Sequence, residues 1–334
     1  SGNQKTEWRV YRDNGNDVDY LVEETPASFL HTGAGFWLIR KGSLTIPSFS
    51  MVMPKLDSLA AYAIPLHNGW NIIANPFDQP VTWQTVIDAN ALAPTTILTA
   101  YEGSYTASGF MEPFKGYYYF NGANAGAMKI PYPFGNATAA AAAGPPMDWK
   151  LQLSFESDIN TDGENYIGIA PSSSAGADPF DQHKPPLFLD QGFLYFSRPE
   201  WDGAHSRYSS DIRPSVGAGQ TWEIEVSNPR KLMSTIRVNG IEKVPSEMEV
   251  VLVNLFNSTP VDLRKKADYT YQTVSAKMPF KILVGTKAYV AGEIAKLLPQ
   301  VFELDQNFPN PFNSSTSMSV RLPRDARIRL DIYS

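Results

Sequence analysis

Between residues 147 and 155 every second side chain is apolar. Met147, Trp149, Leu151, Leu153 and Phe155 alternate with Asp148, Lys150, Gln152 and Ser154. A strict period of two places the apolar set on one face of an extended strand, and that face needs a second apolar layer over it. Comparable strand runs follow at 166–169, 193–196, 221–226, 233–238, 249–255, 269–274, 280–284 and 288–290. About nine short strands divided by Gly, Pro, Asn and Asp turns predict a β-sandwich or jelly roll over 147–298, with a short helix at 291–298.

The chain ahead of this region has a different texture. Residues 1–135 read as a β-rich N-terminal module, with strands at 8–11, 35–39, 45–47, 69–77 and 116–120. Trp83, Val86 and Ile87 fall on one side of a short helix at 83–92. Gly35-Phe36-Trp37-Leu38-Ile39 reads as a buried strand, and Gly116-Tyr117-Tyr118-Tyr119-Phe120 mirrors it, which suggests a duplicated strand motif. Asn136 to Pro146, with its alanine run and Gly144-Pro145-Pro146, reads as a linker. The overall expectation is an all-β protein.

Charge and composition exclude several classes. The net charge is −6, which argues against a nucleic-acid partner, since that would need a basic face. No apolar run approaches the ~20 residues of a membrane-spanning helix, so no transmembrane segment is expected. Cysteine is absent, which removes disulfides, thiolate metal sites and cysteine nucleophiles.

One loop has the start of a calcium-binding pattern. In Asp158-Ile159-Asn160-Thr161-Asp162-Gly163 the oxygens of Asp158, Asn160 and Asp162 occupy alternate positions, and Glu164 follows. The twelfth position is Ile169 rather than a glutamate, so the loop is not an EF-hand. Structural calcium is the one cofactor candidate, set against a plain acidic turn held by Asx hydrogen bonds. Asp13, Asp17 and Asp19 form a looser cluster that reads as a solvated turn. His31, His67, His183 and His205 are scattered, without the spacing of a zinc site. No nucleophile elbow, phosphate loop or dinucleotide fingerprint is present. Asp158, Asp190, Glu200 and Asp202 are the carboxylates a glycosidase reading would draw on, being near aromatic residues. Trp70, Trp83, Trp201 and the Tyr117–Tyr119 run are candidate sugar-stacking faces, against the commoner role of aromatics as sheet core.

The last stretch has its own pattern. Met318, Val320 and Leu322 alternate with polar residues, and so do Ala326, Ile328, Leu330 and Ile332 beyond Pro323-Arg324-Asp325. This predicts a hairpin, which is marginal in water unless its apolar row finds a partner. Just before it stands Leu304-Asp305-Gln306-Asn307-Phe308-Pro309-Asn310-Pro311-Phe312-Asn313. The run Gln306, Asn307, Phe308, Pro309, Asn310, Pro311, Phe312 resembles the opening of the C-terminal sorting domain of type IX secretion substrates, with Phe308 where tyrosine is usual and Ser314 where proline is usual. That domain is a small Ig-like β-sandwich, and the resemblance makes 299–334 its incomplete start. Gly69-Trp70-Asn71-Ile72-Ile73-Ala74-Asn75-Pro76-Phe77 is similar to a β-module often found ahead of such domains, to which no activity attaches.

The resemblance implies export to the cell surface or the extracellular space. With no catalytic motif, the expected function is a secreted structural protein, not an enzyme. It would self-assemble into a filament or layer by strand addition through Met318, Val320, Leu322, Ile328, Leu330 and Ile332. The partners expected are further copies of the chain or surface components. The alternatives are a carbohydrate-binding or adhesive module and a secreted glycoside hydrolase.

Overall fold

The computed structural model describes residues 7–16, 21–23, 31–43, 54–134, 146–186, 191–215, 217–230, 233–297, 302–304, 306–313, 315–318, 320–323 and 326–331. The expected strand at 45–47, Asp17, Asp19, Asp190, Ser314, Ile332 and nearly all of the expected linker lie outside them.

The protein is mostly β, with two short α-helices among the described residues. Two sheets form a sandwich in the second half. One has the order Ser210–Arg213, Thr161–Ile169, Trp149–Ser157, Met233–Asn239, Asp268–Gln272. The other has the order Arg207–Tyr208, Phe193–Ser197, Gly219–Ser227, Lys277–Gly285, Glu249–Asn254, Thr259–Asp262. The alternating row behaves as its period dictates: Trp149, Leu151, Leu153 and Phe155 all face the core, against Trp222, Ile224, Val226, Phe280 and Ile282 of the opposite sheet. Gly192 lets the layers close, because a Cβ there would lie 2.4 Å from the Phe155 ring.

Sequence and structure differ at four places in the sandwich. The stretch 288–290 is not a strand: it belongs to helix Lys287–Leu297. Val290, Ile294 and Leu297 recur at helical spacing and cover Val251, Val253 and Leu283 on the outer face of the six-stranded sheet. Strands Arg207–Tyr208 and Thr259–Asp262 were not expected, and both are short sheet edges. Ser210–Arg213 was not expected either, because its Ser-Asp-Ile-Arg sequence buries a charge instead of an apolar row.

The N-terminal module centres on the sheet Gly69–Ala74, Gly116–Asn121, Leu98–Tyr101, Tyr105–Ser108. Each face of it is covered. Tyr117 and Tyr119 pack with Ile73 and with Trp83, Val86 and Ile87 of helix Trp83–Ala89. Tyr118 faces the other way and packs with Trp70, Ile72 and Tyr105. Helix Trp83–Ala89 is capped by Thr82, whose hydroxyl accepts from Thr85 N–H.

Strand Phe36–Arg40 corrects the expectation of a buried strand. Phe36, Leu38 and Ile39 are 36–39% exposed, since the strand lies in a separate three-stranded sheet and enters the core through Trp37. It therefore has no equivalence to the buried Gly116–Asn121 strand it resembles. Asp13, which ends the neighbouring strand, ties that small sheet down. Its carboxylate lies 2.9 Å from His67 Nε2 and accepts from Ile72 N–H at 3.3 Å.

The tail also differs from expectation. Val320–Arg321 pairs with Glu303–Leu304, and Ser315–Ser317 pairs with Phe308–Asn313. The expected hairpin between 318–322 and 326–332 is not formed by its described residues, because Val320 is engaged in the ladder with Leu304 instead. Residues 326–331 carry no strand assignment.

The sandwich core yields a direct test. Trp222 is fully buried, and its indole N–H donates to Asp211 O at 3.0 Å. Trp222→Ala is expected to cost about 3–5 kcal/mol. Urea unfolding followed by circular dichroism should show the sandwich transition moving to lower denaturant by that amount.

Candidate functional site

The four residues of the acidic loop do not form a cation site. Asp158 is exposed at the turn between Trp149–Ser157 and Thr161–Ile169. Asn160 is committed to Gly192, donating to its carbonyl at 2.7 Å and accepting from its N–H at 3.1 Å. Glu164 accepts from the Tyr166 hydroxyl at 2.8 Å. Asp162 points into the protein. Its oxygens accept from Lys184 Nζ at 2.6 and 2.7 Å and from Leu194 N–H at 2.8 Å. A buried ammonium thus takes the place the sequence pattern offered to calcium. Among the described residues no three His, Cys, Asp or Glu side chains converge to hold a metal ion.

Lys184 also donates to Asn165 Oδ1 at 2.6 Å, and Asn165 is completely buried. Burial pushes the Lys184 amine below its ordinary range, and the Asp162 carboxylate offsets only part of that. Sequence reading missed Lys184 and Asn165, since the lysine comes from 22 residues beyond Asp162 and follows no local motif.

The aromatic candidates are mainly structural. Trp70, Trp83, Tyr117, Tyr118 and Tyr119 are all buried in the two module cores, so they form no exposed stacking row. Trp201 is partly buried, edge-on to Tyr208 at 5.1 Å and covered by the Arg198 guanidinium at 5.4 Å. Of the candidate carboxylates, Asp158 and Glu200 are exposed. Asp202 accepts from the backbone N–H of Ala204 and His205. Burial works to raise the Asp202 carboxyl, but those hydrogen bonds prevail and hold it below its ordinary range.

The most elaborate place in the molecule is the seam between module and sandwich. Phe120 of the module stacks on His183 at 3.6 Å and meets His205 edge-on at 5.0 Å. The Tyr105 hydroxyl donates to Pro186 O at 2.7 Å, and Gln191 Nε2 donates to the Tyr101 hydroxyl at 3.0 Å. A cavity of about 610 Å³ lies along this seam, walled by Thr96, Tyr105 and Phe120 on one side and by Tyr166, Asp181 and His183 on the other. Desolvation pushes the Asp181 carboxyl up to about 8, although it accepts from Ile212 N–H at 2.9 Å and Asp178 N–H at 3.1 Å. Desolvation pushes His183 down to about 4, against the attraction of Asp202, whose Oδ2 lies 3.6 Å from Nε2.

Compared with protein-family models, curated proteins and solved structures, the chain matches none of them. The likeness to a sorting domain therefore rests on residues 304–313 alone. The fold defines the chain as an all-β protein of the sandwich type.

His183 sets a pH dependence. Its folded value lies below the unfolded one, near 6.5, so folding favours the neutral ring. Above about pH 6.5 both states hold a neutral ring and His183 contributes nothing. As pH falls towards 4 the unfolded chain takes up the proton first, and stability drops by up to about 3 kcal/mol. Thermal melts from pH 7 to 4 should show this loss at the module seam, and His183→Gln should flatten that part of the profile.

Proposed function

We propose that the chain is a non-catalytic protein of the cell surface or extracellular space. It is exported by the type IX route and assembles with further copies of itself by strand addition. The observation that carries this reading is the segment 326–331. Among the described residues it joins no ladder, and Ile328 and Leu330 are each 57% exposed. A segment with alternating apolar residues and no ladder of its own can pair by its main chain with a neighbour's sheet edge. Met318 and Val320 are also exposed, at 40% and 41%, while Leu322 is half-buried. A head-to-tail contact of this kind repeats into a filament unless its rotation closes a ring.

Two of the carboxylates at the seam have structural partners: Glu164 accepts from the Tyr166 hydroxyl, and Asp181 accepts from the backbone N–H of Ile212 and Asp178. A second reading, binding of a small polar ligand or sugar, draws on the cavity of about 610 Å³ at the seam, whose size falls in the range of ligand sites.

Electron microscopy of the purified chain at neutral pH tests the first reading. Filaments or rings are expected, and Ile328→Asp with Leu330→Asp should reduce them to single particles while circular dichroism stays unchanged. Monodisperse wild-type particles would remove assembly. Binding on a glycan array that is lost in Phe120→Ala would then favour the second reading.

A further inference from the structure

Lys184, Asp162 and Asn165 form a closed triad inside the sandwich. Their relative exposures are 4%, 6% and 0%. The ammonium can only donate, so the oxygen of the Asn165 amide must face it, as the 2.6 Å contact has it. The amide nitrogen is turned away and donates to Leu153 O and Asp162 O, both at 3.2 Å. An amine, a carboxamide carbon and a carboxylate are thus held together where water is excluded.

We propose that Lys184 and Asn165 join through an amide bond that the folded protein makes by itself, with Asp162 carrying the protons. The ammonium first gives a proton to the Asp162 carboxylate. The freed amine lone pair attacks Cγ of Asn165, forming the C–N bond and moving the carbonyl electron pair onto Oδ1. The carbonyl re-forms as the Cγ–Nδ2 bond breaks. Asp162 passes its proton to the departing nitrogen, collects one of the two protons on Nζ and hands that proton to the released ammonia. The leaving group departs as ammonium and Asp162 ends as a carboxylate. One lysine ammonium and one carboxamide become one secondary amide and one ammonium ion, with no oxidant or reductant.

Three physical features favour the reaction. Burial favours the neutral amine, the nucleophilic form. Contact at hydrogen-bond distance in a fixed site supplies a high effective concentration. Asp162 lies within reach of the attacking nitrogen, at 2.6 Å from Nζ, as a proton carrier must.

The placement gives the bond a purpose. Asn165 sits on the Thr161–Ile169 strand of the five-stranded sheet. Lys184 N–H donates to Arg207 O, beside the edge strand of the six-stranded sheet. The bond would fasten one layer of the sandwich to the other in a chain that has no cysteine with which to do so. This inference is independent of whether the chain assembles.

Mass spectrometry of the purified full chain under denaturing conditions tests it. The expected mass is about 17 Da below that of the sequence, the loss of one ammonia. Proteolysis should give a branched peptide that joins Lys184 to Asn165. Asp162→Ala and Lys184→Met should each show the full sequence mass. An unshifted wild-type mass would overturn the proposal. So would a loss of about 17 Da confined to a linear peptide, which marks a succinimide, or about 18 Da with Lys184 bonded to Asp162, each at odds with the chemistry assigned to the carboxamide. The wild-type measurement decides the matter even if both variants fail to fold.

Discussion

Apolar contact between the two sheets of the sandwich is the interaction on which the other features depend. Trp222, Phe155 and Phe280 are completely buried between the layers, and each such side chain removed from water contributes roughly 1.5–3 kcal/mol. That interior sets the distance between Thr161–Ile169 and the segment at 183–184, and so the contacts of Lys184. It also supplies the rigid wall against which the N-terminal module places Phe120. The module has a separate core on each face of its central sheet.

Charge within the sandwich is used for placement. Asp211 is completely buried and is held by two guanidiniums, those of Arg198 and Arg213. Arg213 also donates to Thr221 O at 2.8 Å. Desolvation consumes most of what such pairs gain, so they add little to stability compared with apolar groups of the same volume. What they supply is registration. Asp211 fixes the edge strand Ser210–Arg213, and Asp181 accepts from Ile212 N–H on the same strand. An edge strand without an apolar row of its own is held in place by carboxylates.

This division explains what could be read from the sequence. The central strands were legible because their side chains alternate, as in Trp149–Ser157, or run continuously apolar, as in Glu249–Asn254. The short helix with Trp83, Val86 and Ile87 on one side was legible for the same reason, at a different period. Edge strands with polar sequences were not, since their positions are set by partners distant in the chain. The acidic loop shows how far a motif can mislead. Its spacing suits a cation, but in a strand alternate residues share a face, and here Asp162 and Glu164 serve Lys184 and Tyr166 separately. Nothing local to Asp162 announces a lysine partner. The triad became visible only once the sheets were stacked.

The parallel pairing of Ser210–Arg213 with Thr161–Ile169 bears on the order in which the molecule forms. Trp149–Ser157 and Thr161–Ile169 are joined by a tight turn and can zip early, as local hairpins do. The edge strand is different: more than thirty residues of chain, including His183 and Lys184, must close into a loop before it reaches its place. Its slot beside Thr161–Ile169 therefore stays open through the first stages of folding. During that interval the nascent chain exposes an unsatisfied strand edge, the kind of surface that pairs with other extended backbone.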